Sequence, residues 1–179
     1  MNRKLPSAFL ILLSFSGVGF CQLKTSGDQR DTIPPQSCPV TIGQKSDIHP
    51  AEFFGSDSAH WEHNLYVGGL WPDGTIEFRP NGPGYIYDDG SVGMKIAWYR
   101  GKGVRGKLKI HGKRLDAAAP PLRSELSDYG DTGFQPSQVI FPTEGCWQVT
   151  GTVGDSTVTF ITRVVKLPGL KANVHPPKS

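Results

Sequence analysis

The chain has 179 residues, 37% of them hydrophobic and 20% charged, with a formal net charge of +3. That length fits one domain plus extensions, and so small a net charge excludes reading a partner from bulk electrostatics. The 22 glycines and 15 prolines separate many short apolar runs, which points to turn-rich β structure and away from a helical bundle.

The N-terminus carries the layout of a secretory signal peptide. Arg3 and Lys4 precede an apolar run from Ala8 to Phe15 and then small residues, and the run is too short to span a bilayer. Cleavage fits after Gly19 or after Cys21, so residues 1–21 read as the signal and the product as secreted or periplasmic. Lipid anchoring through Cys21 is the alternative, opposed by Phe20 where a small residue is required. Residues 22–36 are polar, include Pro34-Pro35, and read as a flexible linker. Residues 37–167 read as the folded domain and 168–179 as a disordered tail.

Within the domain, Asn64–Leu70 and Thr75–Arg79 flank Trp71-Pro72-Asp73-Gly74, where Pro fixes φ and Gly accepts positive φ. This pattern predicts a hairpin. Gly84–Tyr87 and Gly93–Tyr99 flank Asp88-Asp89-Gly90 and predict a second. Lys107–Arg114 alternates basic and apolar positions, and Gln138–Phe141 is a short apolar run. In the last two strands Trp147, Val149, Gly151 and Val153 share one face, the chain turns at Gly154-Asp155, and Val158, Phe160, Thr162 and Val164 share a face on the return. No segment sustains a 3.6-residue period.

Trp147 therefore reads as a core anchor, with Cys146 facing the other way. If Cys21 leaves with the signal, Cys38 and Cys146 remain in an oxidising compartment, and a Cys38–Cys146 disulfide is the simplest outcome. Two unpaired buried thiols are the alternative. No activating base adjoins Cys146, which argues against a catalytic thiol.

Four stretches carry a resemblance: CPVT (Cys38–Thr41), GLWPDG (Gly69–Gly74), KLKIHGKRLDAAAPPLR (Lys107–Arg123) and GFQPSQVIFPTEGCWQVTGTVGDSTVTFITRVV (Gly133–Val165). Together they resemble a family of secreted bacterial proteins that ends in a Phe-Pro-Thr-x-Gly-Cys-Trp lead-in and a Gly-Asp-turn hairpin. The terminal hairpin is also similar to the last two strands of bacterial immunoglobulin-like sandwiches. The resemblance covers residues 38–166 and implies fold and location, not chemistry. With the strand-like runs it gives the expectation of an all-β, immunoglobulin-like antiparallel sandwich of about eight strands.

Candidate chemistry is sparse. Gly101-Lys102-Gly103-Val104-Arg105-Gly106 matches Gly-x-Gly-x-x-Gly, but a Lys-rich strand follows where a dinucleotide site needs a helix, so a loop is expected. On a helical turn His60 and His63 would share a metal, completed by His49, Glu52, His111 or His175; surface histidines are the plainer reading. Residues 95–114 hold eight basic residues and no acidic one. Among them Lys107, Lys109, Lys113 and Arg114 form a candidate surface for an anionic polymer or cell-envelope component, the alternative being a solvated edge that resists aggregation. The aromatics Trp61, Tyr66, Trp71, Tyr85, Tyr87, Trp98 and Tyr99 either fill a core or stack on sugar rings. No pattern implies a cofactor, and no Gly-x-Ser-x-Gly or His-Glu-x-x-His is present. A non-enzymatic extracytoplasmic binding or structural module is the leading expectation. A metal-handling protein and a hydrolase with a non-local site stand behind it.

Overall fold

The computed structural model describes residues 38–44 and 58–169. The signal segment, Cys21, the linker, His49, Glu52, His175 and nearly all of the tail lie outside the described residues. Ten strands follow in chain order: β1 (His60–Glu62), β2 (Leu65–Gly68), β3 (Thr75–Phe78), β4 (Tyr85–Ile86), β5 (Val92–Arg100), β6 (Lys109–Arg114), β7 (Arg123–Leu126), β8 (Gly133–Phe141), β9 (Gly145–Val153) and β10 (Ser156–Lys166). The described residues contain no helix.

The strands form two sheets. One has the order β1-β2-β5-β8-β7, with β4 also paired to β5, and is antiparallel throughout; the other has the order β3-β10-β9-β6. Within the second sheet only β3–β10 is parallel.

Alternation along the long strands builds the core between the sheets. From β5 come Val92, Met94, Ile96 and Trp98; from β9 Trp147, Val149 and Val153; from β10 Val158, Phe160 and Val164; all are buried in one cluster. Trp98 of the first sheet packs its ring 6.1 Å from Phe160 of the second. Its indole N–H donates to Ser137 Oγ at 2.8 Å, and that of Trp147 donates to the Thr143 carbonyl at 3.0 Å. Both interior indoles thus keep a partner, which burial of a polar N–H demands.

Turn chemistry fixes two short hairpins. Between β1 and β2, His63 (φ 47°) and Asn64 (φ 59°) both take the left-handed region, as a tight two-residue hairpin turn requires. Between β9 and β10 Gly154 does so at φ 56°. The β4–β5 hairpin closes around Asp88-Asp89-Gly90 as expected, with Gly90 N–H on the Tyr87 carbonyl at 2.9 Å.

The predicted hairpin at Trp71–Gly74 is corrected. The turn exists, with Gly74 N–H donating to the Trp71 carbonyl at 2.9 Å, but the strands it joins lie in different sheets. The reason is local competition for the Gly74 carbonyl. It accepts from Arg163 N–H at 3.0 Å and from Thr162 Oγ1 at 2.8 Å, which docks the chain on β10 instead of returning it along β2. The loop is a crossover between the sheets.

Cys38 is bonded to Cys146, a link across 108 residues of sequence. It holds the Cys38–Gln44 segment beside β10, where Thr41 N–H donates to the Ile161 carbonyl at 2.8 Å and Thr41 Oγ1 accepts from Ile161 N–H at 2.9 Å.

Candidate functional site

The eight basic residues of 95–114 do not act as one patch, because the fold separates them. Lys95 is exposed on the outer face of the first sheet, and Lys102 and Arg105 are exposed in the β5–β6 loop. Lys107, Lys109, His111 and Lys113 project together from the outer face of the second sheet, all exposed. Among the described residues no carboxylate comes within salt-bridge distance of Lys107, Lys109 or Lys113.

A hydroxyl surface adjoins these lysines. Cross-strand register places Lys109 beside Thr152 and Thr157, and His111 beside Thr150 and Thr159. Thr150 and Thr159 hydroxyls meet at 3.0 Å, and Thr152 and Thr157 at 3.5 Å. The result is a half-exposed row of threonines bordered by Lys109 and Lys113 on the edge strand β6 and by Lys107 just before it.

Arg114 leaves this set. Its alternation turns it to the opposite side, where Nε sits 2.6 Å from Asp116 Oδ1 and Nη1 donates to Thr143 Oγ1 at 3.2 Å. The Asp116 side chain is 8% exposed. Burial works against its charge, but the Arg114 hydrogen bond and the Cys146 N–H outweigh burial and hold the carboxyl below the ordinary aspartate range. Arg114 is therefore a structural partner beside the disulfide, not part of the lysine surface.

Arg100, also one of the eight, is withdrawn from the surface altogether. It is 2% exposed, and its fork donates to four backbone carbonyls: Gly106 and Gly130 at 2.8 Å, Thr132 at 3.1 Å and Gly133 at 3.3 Å. Burial pushes its guanidinium down from its ordinary value, with the Asp131 charge opposing. It ties the β5–β6 loop to the loop before β8. The Gly101–Gly106 motif is accordingly a pinned loop between two strands, with Val104 N–H on the Gly101 carbonyl at 3.1 Å and Gly106 N–H on the Asp131 carbonyl at 2.9 Å. An open depression of about 420 Å³ lies here, lined by Tyr99, Lys102, Arg105 and Thr132 among others.

His60 and His63 sit on a strand and its turn, not on a helical turn, so the spacing argument for a shared metal does not apply to them. His60 Nε2 lies 3.8 Å from Glu62 Oε1, and His63 Nδ1 lies 3.3 Å from the Thr157 carbonyl. Among the described residues no three His, Cys, Asp or Glu side chains gather as a metal site would need.

The aromatics divide between two fates. Trp98 fills the core and Trp71 packs against it. Tyr99, next along β5, points outward. Direct register partners carry this outward face across four strands as Trp61, Tyr66, Tyr99 and Phe134. Ring centroids of Trp61 and Tyr66 are 6.2 Å apart, as are those of Tyr66 and Tyr99, and Tyr129 joins Phe134 at 5.9 Å. Phe134 and Tyr129 escape a sequence reading because only the β5–β8 register brings Phe134 to the row and only its ring brings Tyr129.

Comparison with protein-family models, with curated proteins and with solved structures gives no match to this chain.

Proposed function

We propose that this protein is a non-enzymatic extracytoplasmic binding module that holds an anionic polymer of the cell envelope on its Lys107–Lys109–Lys113 face. The observation that carries the reading is that three exposed lysines stand in one row with no carboxylate in range among the described residues. Lysines that serve only as a solvated surface commonly interleave with acids, whereas an unneutralised row attracts a polyanion. The adjacent threonine hydroxyls supply uncharged hydrogen bonds to the same ligand.

Export and an immunoglobulin-like topology belong to the same proposal. The signal-like segment at 1–21 and the Cys38–Cys146 bond support an oxidising destination. Two packed sheets closed by a Cys-Trp strand support the immunoglobulin likeness, and among the described residues the parallel β3–β10 pair departs from an antiparallel plan.

The test is retention on immobilised heparin, a polyanionic probe, as a function of salt. Wild-type protein is retained and elutes with rising salt, and the Lys107→Glu/Lys109→Glu/Lys113→Glu variant passes through. Equal retention of the two proteins sinks the proposal.

A further inference from the structure

A histidine interrupts the lysine row. His111 stands between Lys109 and Lys113 on the same face of β6, and all three are exposed. Lys107 is exposed just before the strand while Leu108 beside it is buried, so the alternation runs back to Lys107 unbroken. At the rise of an extended strand, successive members of the set Lys107, Lys109, His111 and Lys113 are about 7 Å apart, and the track is about 20 Å long. β6 is the last strand of its sheet, paired to β9 alone among the described residues.

The spacing gives the interruption its consequence. Cations about 7 Å apart fall within the screening length of about 8 Å at physiological salt, and cations about 14 Å apart do not. With a neutral imidazole at His111, Lys113 acts apart from Lys107 and Lys109. With an imidazolium there, four charges form one continuous track. Of the side-chain types in the row, only imidazole changes charge between pH 5 and 8. Nothing that faces His111 compensates such a change. Thr150 of β9 lies directly opposite it and Thr159 of β10 beyond, with Gln148 and Thr152 flanking Thr150 on the same face. None of these carries charge, and the charged neighbours on β6 are Lys109 and Lys113. Arg123 and Glu125 of β7 belong to the other sheet, in register with Ile140 and Gln138. Asp116 is held by Arg114 on the opposite side, and Asp155 lies in the β9–β10 turn past Thr152. His63 rests on the Thr157 carbonyl, two strands across from Lys109.

We propose that His111 is the fourth anion contact of this face, so that the face holds a polyanion more tightly as pH falls. The inference rests on the polyanion reading of Lys107, Lys109 and Lys113 and adds to it a binding residue and a control by acid. The ligand it fits is an extended chain of anions laid along β6, because only such a chain meets all four positions of a single-file track.

The experiment is isocratic retention on immobilised heparin over a series of salt concentrations, at about pH 8 and at about pH 5.5, which bracket the imidazole range. Heparin sulfates stay ionised at both, so the probe itself does not change. The slope of log retention against log salt counts the cations engaged. For wild type, acid steepens that slope by close to one charge and raises retention about fivefold at about 0.15 M salt. His111→Gln loses the difference between the two pH values. His111→Lys carries the steeper slope at both. His111 is exposed on an edge strand, so neither variant disturbs the core. A pH response that persists undiminished in His111→Gln overturns the inference and assigns the proton to another group, such as His63. Equal wild-type slopes at the two pH values overturn it as well and leave the lysine reading standing. Absence of retention at both pH values removes the two together.

Discussion

Cys146 and Trp147 leave β9 in opposite directions, the sulfur bonded to Cys38 and the indole set 5.7 Å from Phe141 in the core. One residue fastens the chain entry to the outside of the sheet while the next fills the inside. Because the bond closes 108 residues, it removes much of the freedom of the unfolded chain. The expected loss on Cys38→Ser/Cys146→Ser is about 4–5 kcal/mol in the chain-entropy account. Urea denaturation with tryptophan fluorescence measures it. A midpoint equal to wild type would show that the Thr41–Ile161 hydrogen bonds hold the segment unaided.

Arg100 substitutes for secondary structure in two loops that have none of their own. Its guanidinium supplies donors to carbonyls of Gly106, Gly130, Thr132 and Gly133, and a lysine ammonium cannot reproduce that planar fork. Arg100→Lys leaves half-exposed loop carbonyls with fewer donors and costs about 1–2 kcal/mol. Hydrogen exchange localises the effect: amides of Val104 and Gly106 lose protection before those of β5. Uniform loss across the sheets would contradict a loop-pinning role.

Asp116 makes stability depend on acid. Its folded-state carboxyl titrates below the ordinary value, so the unfolded chain takes up the proton first as pH falls. The stabilisation is whole above the unfolded value near 3.8 and disappears as pH drops through the depressed folded value. Asp116→Asn removes this contribution, costing about 1–3 kcal/mol at neutral pH for the lost charge-assisted bonds to Arg114. Melting from pH 6 downward compares the two proteins. The gap between them narrows below about pH 4, and a constant gap would place the acid sensitivity elsewhere.

What the sequence made legible follows from how local each signal is. Alternation in Gly145–Val153 and Ser156–Val165 named the buried faces correctly, because side-chain period depends on the strand alone. The Trp71–Gly74 crossover was not legible, since a turn sequence sets a reversal and not the strand that receives it. The basic run misled for a similar reason. Charge is visible in sequence, but Arg100 met four carbonyls and Arg114 met Asp116 only through the fold. The Lys107–Lys109–Lys113 row was legible because one short stretch of chain with a two-residue period carries all of it, and the aromatic row was not because it takes one residue from each of four strands.

Gly151 shows how a missing side chain shapes the core. It lies on the inner face of β9 with Trp147, Val149 and Val153, and a Cβ built there would fall 2.4 Å from Trp98 Cζ3. Its backbone is not in the left-handed region, so any cost of substitution is steric. Trp98 cannot retreat readily, because it is fully buried, its indole N–H is held by Ser137 and its ring packs on Phe160. Gly151→Ala therefore destabilises by about 1–3 kcal/mol, the usual cost of forcing an extra carbon into a packed core. Adding Trp98→Phe opens room for the methyl but forfeits packing of its own. The two changes are thus coupled, and the double variant is more stable than the sum of the single losses predicts. A thermal-denaturation cycle over the four proteins measures that coupling. Strict additivity would mean that the Trp98 ring does not rest on Gly151 in solution.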